Sequence, residues 1–161
     1  ALAQQNSVLE FRTFMTGELF DVLKNHSILG ATMQPSQDTD WQVFDDGVAT
    51  AIRQKEAGLL STLFSTRTKL LAGQISSRQQ SDYLSGLVIG HELAGLRQTL
   101  LADEERRLNT PIVLTGNPTL CERYQRAFRQ TIADRPIQFI AQATVAGLWQ
   151  IALRARLIHD A

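Results

Sequence analysis

Cysteine is almost absent from this sequence. The one cysteine, Cys121, cannot form a disulfide within the chain, which excludes a disulfide-stapled secreted scaffold and favours a reducing compartment, taken here as the cytoplasm. A thiol nucleophile needs a base nearby, and the adjacent Glu122 and Arg123 are not bases of that kind. We therefore predict that Cys121 is a small packed residue.

The sequence also lacks long apolar runs and an excess of charge of either sign. No run approaches the roughly 20 apolar residues that cross a bilayer, and no signal peptide is visible. The 16 Lys and Arg residues equal the 16 Asp and Glu residues, so no basic field attracts nucleic acid or an anionic membrane. The histidines lie far apart without metal-ligand spacing. We expect no nucleic acid, membrane or bound-metal site.

The remaining composition is that of a folded protein. Hydrophobic residues make up 43% of the 161 residues and charged residues 20%, which is enough apolar material for a core and argues against disorder. This length is ordinary for one compact domain. We therefore predict a single domain over residues 1–161.

Apolar residues recur at helical spacing through most of the first hundred positions. Residues 8–14 read as a strand, and the pattern then predicts helices over residues 16 to about 26, 40–55, 58–71 and about 78–103. Asp40 is expected to cap the second helix and Gly73 to end the third. The residues of the third helix expected to face inward are Leu60, Leu63, Phe64 and Leu71.

Two glycines lie one turn apart on the longest predicted helix. A glycine inside a helix costs about 1 kcal/mol relative to alanine, so Gly86 and Gly90 indicate that another backbone or a ligand comes close to this face. Close helix packing is the favoured interpretation.

The last third of the sequence changes pattern. Residues 111–116 and 136–140 read as short buried strands, each followed by an amphipathic helix, the second running over residues 142–158. This β-α-β-α order predicts a parallel crossover with helices covering a sheet. The charged block at residues 103–109 is expected to be a solvated turn.

The first of these strands leads into a turn at Gly116 and Asn117. Glycine permits a tight turn, Asn117 can cap the following helix, and Pro118 suits its first position. Ligands of open α/β sheets bind at such strand ends, although many turns of this form bind nothing. A nucleotide or another anion is the candidate ligand.

A second candidate segment covers residues 12–18, where hydroxyls, a carboxylate and a glycine stand at a change from strand to helix. Read from the residues alone, this is a helix start with Thr16 as the cap and Glu18 in the first turn. His91 and Glu92 form a lone pair on the longest helix, which is interpreted as a structural or surface feature.

Several segments together resemble the 2-dehydro-3-deoxygalactonokinase family. Residues 10–20, with Met-Thr-Gly-Glu-Leu-Phe at their end, are the most specific, and the His-Ser-Ile-Leu at 26–29 follows in the expected place. Further similar segments, in the family's order, are residues 63–68, 83–92, 112–120 and 143–148. The resemblance covers nearly the whole chain.

The resemblance implies a fold and an activity. The family transfers a phosphoryl group from ATP, expected with Mg²⁺, to the 6-hydroxyl of 2-dehydro-3-deoxy-D-galactonate in galactonate breakdown. It belongs to the actin-like ATPase superfamily, whose two ribonuclease-H-like lobes enclose a cleft. We therefore expect an α/β fold with a mixed sheet and a large helical portion.

The resemblance also implies binding residues. The turn at Gly116 and Asn117 resembles the superfamily's adenosine-binding turn, with Asn117 in place of the second glycine common in related sugar kinases. Thr16, Glu18 and Arg67 are the candidates for contacting the sugar acid, since Arg67 can pair with a carboxylate through two hydrogen bonds. No catalytic base is assigned.

Two phosphate-binding segments expected of the family are missing from this sequence: a Gly- and Thr-bearing hairpin and a Pro-Gly-Thr-type segment before residue 8. We therefore expect a C-terminal lobe without the phosphate-binding lobe, inactive alone, with an exposed apolar face that favours a homodimer. The rival interpretations are a non-catalytic helical interaction module and a sugar-phosphate-sensing or isomerase domain that uses the Gly116 turn for an anion.

Overall fold

A computed structural model describes residues 1–4, 7–98, 111–131 and 135–158. The chain divides into two compact units, Ala1–Arg107 and Leu108–Ala161. Each unit has its own arrangement of helices and strands.

The first unit is mainly helical. Its strands β1 (Leu2–Gln4) and β2 (Ser7–Glu10) form an antiparallel pair. Single 3-10 turns lie at Gly30–Thr32 and Lys55–Ala57. The helices are α1 (Thr16–His26), α2 (Trp41–Arg53), α3 (Gly58–Leu63), α4 (Ser65–Leu71) and α5 (Gln80–Gln98).

Close packing of α2 against α5 forms the core of this unit. A β-carbon at Gly86 would overlap the main-chain oxygen of Phe44, and one at Gly90 would lie 2.7 Å from the Ala51 β-carbon. Gly47 of α2 faces the Tyr83 carbonyl in the same way. The sequence interpretation of Gly86 and Gly90 as a close helix contact is therefore confirmed.

The start of α2 is fixed to the start of α5 by side-chain hydrogen bonds. As predicted, Asp40 caps α2, with Oδ1 accepting from Val43 N at 3.1 Å. Its other oxygen accepts from Gln79 Nε2 at 2.7 Å, and its own N–H donates to Asp82 Oδ2 at 2.8 Å. The Gln79 bond, with the Val43 bond second, lowers the pKa of Asp40 because both favour the carboxylate.

The single helix predicted over residues 58–71 is in fact two helices. The break falls at Phe64, which ends α3 and precedes α4. Because the break changes which side chains face the core, Leu60 and Leu71 are 87% and 70% exposed, and Phe64 is also exposed. These three inward assignments are wrong, whereas Leu63 does pack against the core. Gly73 follows α4 with a positive φ, as expected.

The segment before α1 also departs from prediction. The strand predicted over residues 8–14 covers only Ser7–Glu10. Thr16 is the first residue of α1 rather than its cap, because Met15 occupies the cap position and makes no side-chain capping bond. Residues 11–15 are thus an irregular approach to the helix.

The second unit has the predicted β-α-β-α order. Its elements are β3 (Ile112–Leu114), α6 (Pro118–Thr131), β4 (Ile137–Phe139) and α7 (Ala143–Arg154). The two strands are parallel, with Ile112 opposite Ile137. The prediction that they are buried is wrong for the described residues, because Val113 and Phe139 are exposed. Cys121 is buried on α6, as are Ala127 and Phe128 of the same helix, which confirms its prediction as a packed residue. The predicted charged turn at 103–109 lies outside the described residues, as does the end of the longest predicted helix.

The α/β class with a large helical portion is confirmed. In the described residues, however, the strands form one antiparallel and one parallel pair rather than one mixed sheet. Within the same ranges no helix is both long and apolar enough to span a membrane.

Candidate functional site

A cavity of about 370 Å³ lies in the first unit. It is bounded by the approach to α1, the first turns of that helix, α3 and the middle of α5. Its wall is mostly apolar. The lining residues are Phe14, Met15, Thr16, Leu19, Leu59, Val88, His91 and Glu92. An apolar cavity with a few polar groups is the common form of a small-molecule site.

The three polar lining residues come from two helices. Thr16 is half-buried at the first position of α1. His91 and Glu92 are half-buried neighbours on α5, directly after Gly90. Gly90 lies against α2. Because successive residues of a helix point in different directions, His91 contacts α3 instead and lines the cavity.

His91 is held by α3. Its Nε2 lies 2.7 Å from Thr62 Oγ1, and Thr62 is itself almost fully buried. Burial lowers the pKa of His91, because the charged imidazolium loses hydration in the interior. The ring is therefore neutral at neutral pH.

The residues predicted to bind the sugar acid are not all brought to this cavity. Thr16 lines it, but Glu18 is exposed further along α1 and is not among the lining residues. Arg67 on α4 reaches the loop after α1, where its Nη1 donates to the Ile28 carbonyl at 3.4 Å. The cavity instead joins Thr16 with His91 and Glu92.

Sequence reasoning missed the place of His91 and Glu92 at the cavity. A pair of adjacent polar residues after Gly90 in an otherwise apolar helix segment was the available signal, because α5 is buried continuously from Asp82 to Gly90. A polar residue next to such a buried stretch needs a partner or a cavity. The partner, Thr62, lies 29 positions away, and no local pattern points to it.

The turn after β3 has the geometry that the sequence predicted. Gly116 has a φ of 138°, a conformation that side chains rarely permit. Asn117 caps α6, with Oδ1 accepting from Thr119 N at 2.9 Å and from Leu120 N at 3.4 Å. Both residues of the turn are exposed at the end of the strand, so the first turn of α6 is accessible to a ligand.

The described parts of the chain contain no group of three or more His, Cys, Asp or Glu side chains that could hold a metal ion.

Comparison with known proteins gives a consistent set of relatives. A family model described as 2-keto-3-deoxy-galactonokinase matches residues 1–151. A 2-dehydro-3-deoxygalactonokinase of Escherichia coli (strain K12) is 33% identical over 150 residues, covering 93% of this chain and 48% of the relative.

A solved structure shows the same likeness in three dimensions. The crystal structure of a protein from Sinorhizobium meliloti, described as a 2-dehydro-3-deoxygalactonokinase, is 28% identical with a TM-score of 0.72. The match covers 91% of this chain and 47% of that one. The chain thus spans about half the length of the relatives that it matches.

Proposed function

Because this chain belongs to the 2-keto-3-deoxy-galactonokinase family, we propose that it provides part of the substrate-binding surface of a sugar-acid kinase. The reaction is transfer of the γ-phosphoryl group of ATP to the 6-hydroxyl of 2-dehydro-3-deoxy-D-galactonate, with Mg²⁺ on the nucleotide. The observation that carries the proposal is the family match over residues 1–151, which includes both the cavity and the turn after β3.

The sugar acid is assigned to the first unit. Thr16 lines the cavity and offers a hydroxyl at the start of α1, where the helix favours negative charge. Arg67 is only half-exposed and makes one long hydrogen bond, so its guanidinium retains donors for a carboxylate. Glu18 is proposed to accept hydrogen bonds from sugar hydroxyls.

The nucleotide is assigned to the second unit. Gly116 and Asn117 stand where a parallel strand ends and a helix begins, and in open α/β sheets ligands bind at this edge. Asn117 uses one side-chain oxygen to cap α6, which leaves its amide nitrogen to contact adenosine. The wider proposal is that the fold is a lobe of the actin-like ATPase type.

Binding experiments on this chain test the proposal directly. Isothermal titration calorimetry should show binding of 2-dehydro-3-deoxygalactonate, with D-galactonate as the control ligand that lacks the 2-keto group. ATP should bind more tightly than inorganic phosphate, because the turn is proposed to hold adenosine as well as charge. A phosphoryl-transfer assay on the same chain should give no product, since the phosphate-binding segments are expected outside it.

Two results would contradict this function. Failure of both the sugar acid and ATP to bind at millimolar concentration would remove the kinase assignment from these residues. Equal binding of ATP and phosphate would instead favour an anion site of another enzyme class.

A further inference from the structure

The proposed function gives no role to His91, although this residue lines the cavity and is held by Thr62. Its Nε2 is engaged by Thr62. Within the described ranges its other ring nitrogen, Nδ1, has no hydrogen-bonding partner. The state of that nitrogen follows from the hydrogen bonds of Thr62.

Thr62 has one hydroxyl proton and three neighbours. Its Oγ1 lies 2.9 Å from the Leu59 carbonyl, 3.4 Å from the Gly58 carbonyl and 2.7 Å from His91 Nε2. The two carbonyl oxygens can only accept, whereas an imidazole nitrogen can donate. All three contacts are favourable only when Thr62 donates to a carbonyl and accepts from His91. If Thr62 donated to His91 instead, its oxygen lone pairs would face the Leu59 and Gly58 carbonyl oxygens, and those two contacts would be repulsive.

The neutral ring therefore carries its proton on Nε2 and a lone pair on Nδ1. The ring is kept neutral by burial, which lowers its pKa. Among the described residues that line the cavity, Glu92 is the only other titratable one. His91 lines the mainly apolar cavity, so the wall includes a residue with a fixed hydrogen-bond acceptor, which suits a ligand that brings a hydroxyl donor.

We propose that His91 Nδ1 accepts a hydrogen bond from a hydroxyl of the ligand in this cavity, and that Thr62 is the positioning residue that fixes the tautomer. The identity of the ligand as the sugar acid rests on the proposed function. A 2-dehydro-3-deoxy sugar acid has hydroxyls on C4, C5 and C6 and a methylene at C3. The methylene suits the apolar wall formed by Leu59 and Val88, while a hydroxyl satisfies His91.

The tautomer is measured first, without a ligand. In the full chain labelled with ¹⁵N at histidine, two-dimensional ¹H–¹⁵N spectra should show His91 Nδ1 as an unprotonated nitrogen and Nε2 as protonated at pH 7. Assignment comes from the His91→Asn spectrum, in which only the His91 signals are lost. Protonation of Nδ1 instead would overturn the inference and leave the proposed function standing.

The sugar acid is then titrated into the same sample. Accepting a hydroxyl hydrogen bond should shift the Nδ1 resonance toward the protonated range, with little change at Nε2. If the calorimeter shows binding while Nδ1 does not move, the inference fails and the kinase proposal survives. If the sugar acid does not bind at all, the proposed function fails, and the assignment of the ligand to His91 fails with it.

Two matched variants test the roles of the two ring nitrogens of His91 separately. His91→Gln places an amide where Nε2 lies and can still donate to Thr62, but it has no acceptor at the Nδ1 position. His91→Asn places an amide oxygen near the Nδ1 position and loses Thr62. We expect sugar-acid affinity to fall about tenfold in His91→Gln, the loss of one hydrogen bond, and to fall less in His91→Asn. The reverse order would contradict the inference.

Discussion

Gly86 of α5 lies so close to the main-chain oxygen of Phe44 on α2 that a β-carbon at this position would overlap it. The same β-carbon would lie 3.1 Å from the Val48 nitrogen. Both obstructions are backbone atoms inside the α2–α5 core, and backbone cannot rotate away as a side chain can. The helix pair therefore requires glycine here.

Gly86→Ala should accordingly destabilise the first unit. We expect a loss of about 3 kcal/mol in the free energy of unfolding, at the upper end of the usual cost of overpacking, measured by urea denaturation. Gly95→Ala on the same helix is the control, because a β-carbon there meets nothing within 4 Å. That change should stabilise the protein by up to about 1 kcal/mol. Equal effects of the two substitutions would refute the close-contact account.

Asp40 should make the stability of the first unit dependent on acid pH. Its hydrogen bonds to Gln79 and Val43 lower the pKa below the ordinary value of 3.8, so the folded chain binds this proton less readily than the unfolded chain. The stabilisation is therefore complete above the unfolded-state pKa and is lost as the pH falls through the folded-state pKa. Urea denaturation between pH 6 and about pH 3 should show this decline.

Two variants isolate the contribution of Asp40. Asp40→Ala removes the cap of α2 and should cost about 1 kcal/mol at neutral pH. Asp40→Asn keeps a capping oxygen but cannot ionise, so its stability should decline less steeply with acid than that of the wild type. Parallel curves for the wild type and Asp40→Asn would show that this carboxylate does not contribute to the acid dependence.

Arg67 is expected to affect the sugar acid without affecting the fold. Its single long bond to the Ile28 carbonyl is too weak to contribute much stability. Arg67→Ala should therefore reduce sugar-acid affinity by about tenfold, the value of one charge-assisted contact, with an unchanged melting temperature. Arg67→Lys should recover part of the affinity because it keeps the charge but not the paired geometry. Unchanged calorimetric affinity in Arg67→Ala would exclude this residue from the site.

Asn117 offers a variant that keeps the helix cap while it replaces the amide nitrogen and adds a negative charge. Asn117→Asp retains an oxygen for the Thr119 N–H, while its carboxylate repels a nucleotide bound at the turn. We expect ATP affinity to fall about tenfold with stability unchanged. Gly116→Val is less selective, because the positive φ at this position also strains the backbone. ATP binding that is insensitive to Asn117→Asp would remove the turn from the nucleotide site.

Local chemistry was sufficient to predict the elements that the backbone itself specifies. Asp40 before an amphipathic run predicted the start of α2. The change from β3 to α6 was predicted from Gly116, Asn117 and Pro118. Both predictions succeed because capping and turn geometry depend only on neighbouring residues. The spacing of Gly86 and Gly90 predicted a close helix contact because glycine inside a helix is unfavourable unless another group approaches that face. The family, too, was recognisable from short segments in the right order.

Only the tertiary structure decided which side chains became buried and which met. Leu60 and Leu71 are exposed although they are apolar, because the helix breaks at Phe64 and the core takes Thr62 instead. The pairing of Thr62 with His91 joins two helices through positions that no local periodicity relates. The hydrophobic pattern of a sequence indicates which residues prefer burial. The hydrogen bonds between helices and the cavity depend on how whole helices pack, which only the tertiary structure determines.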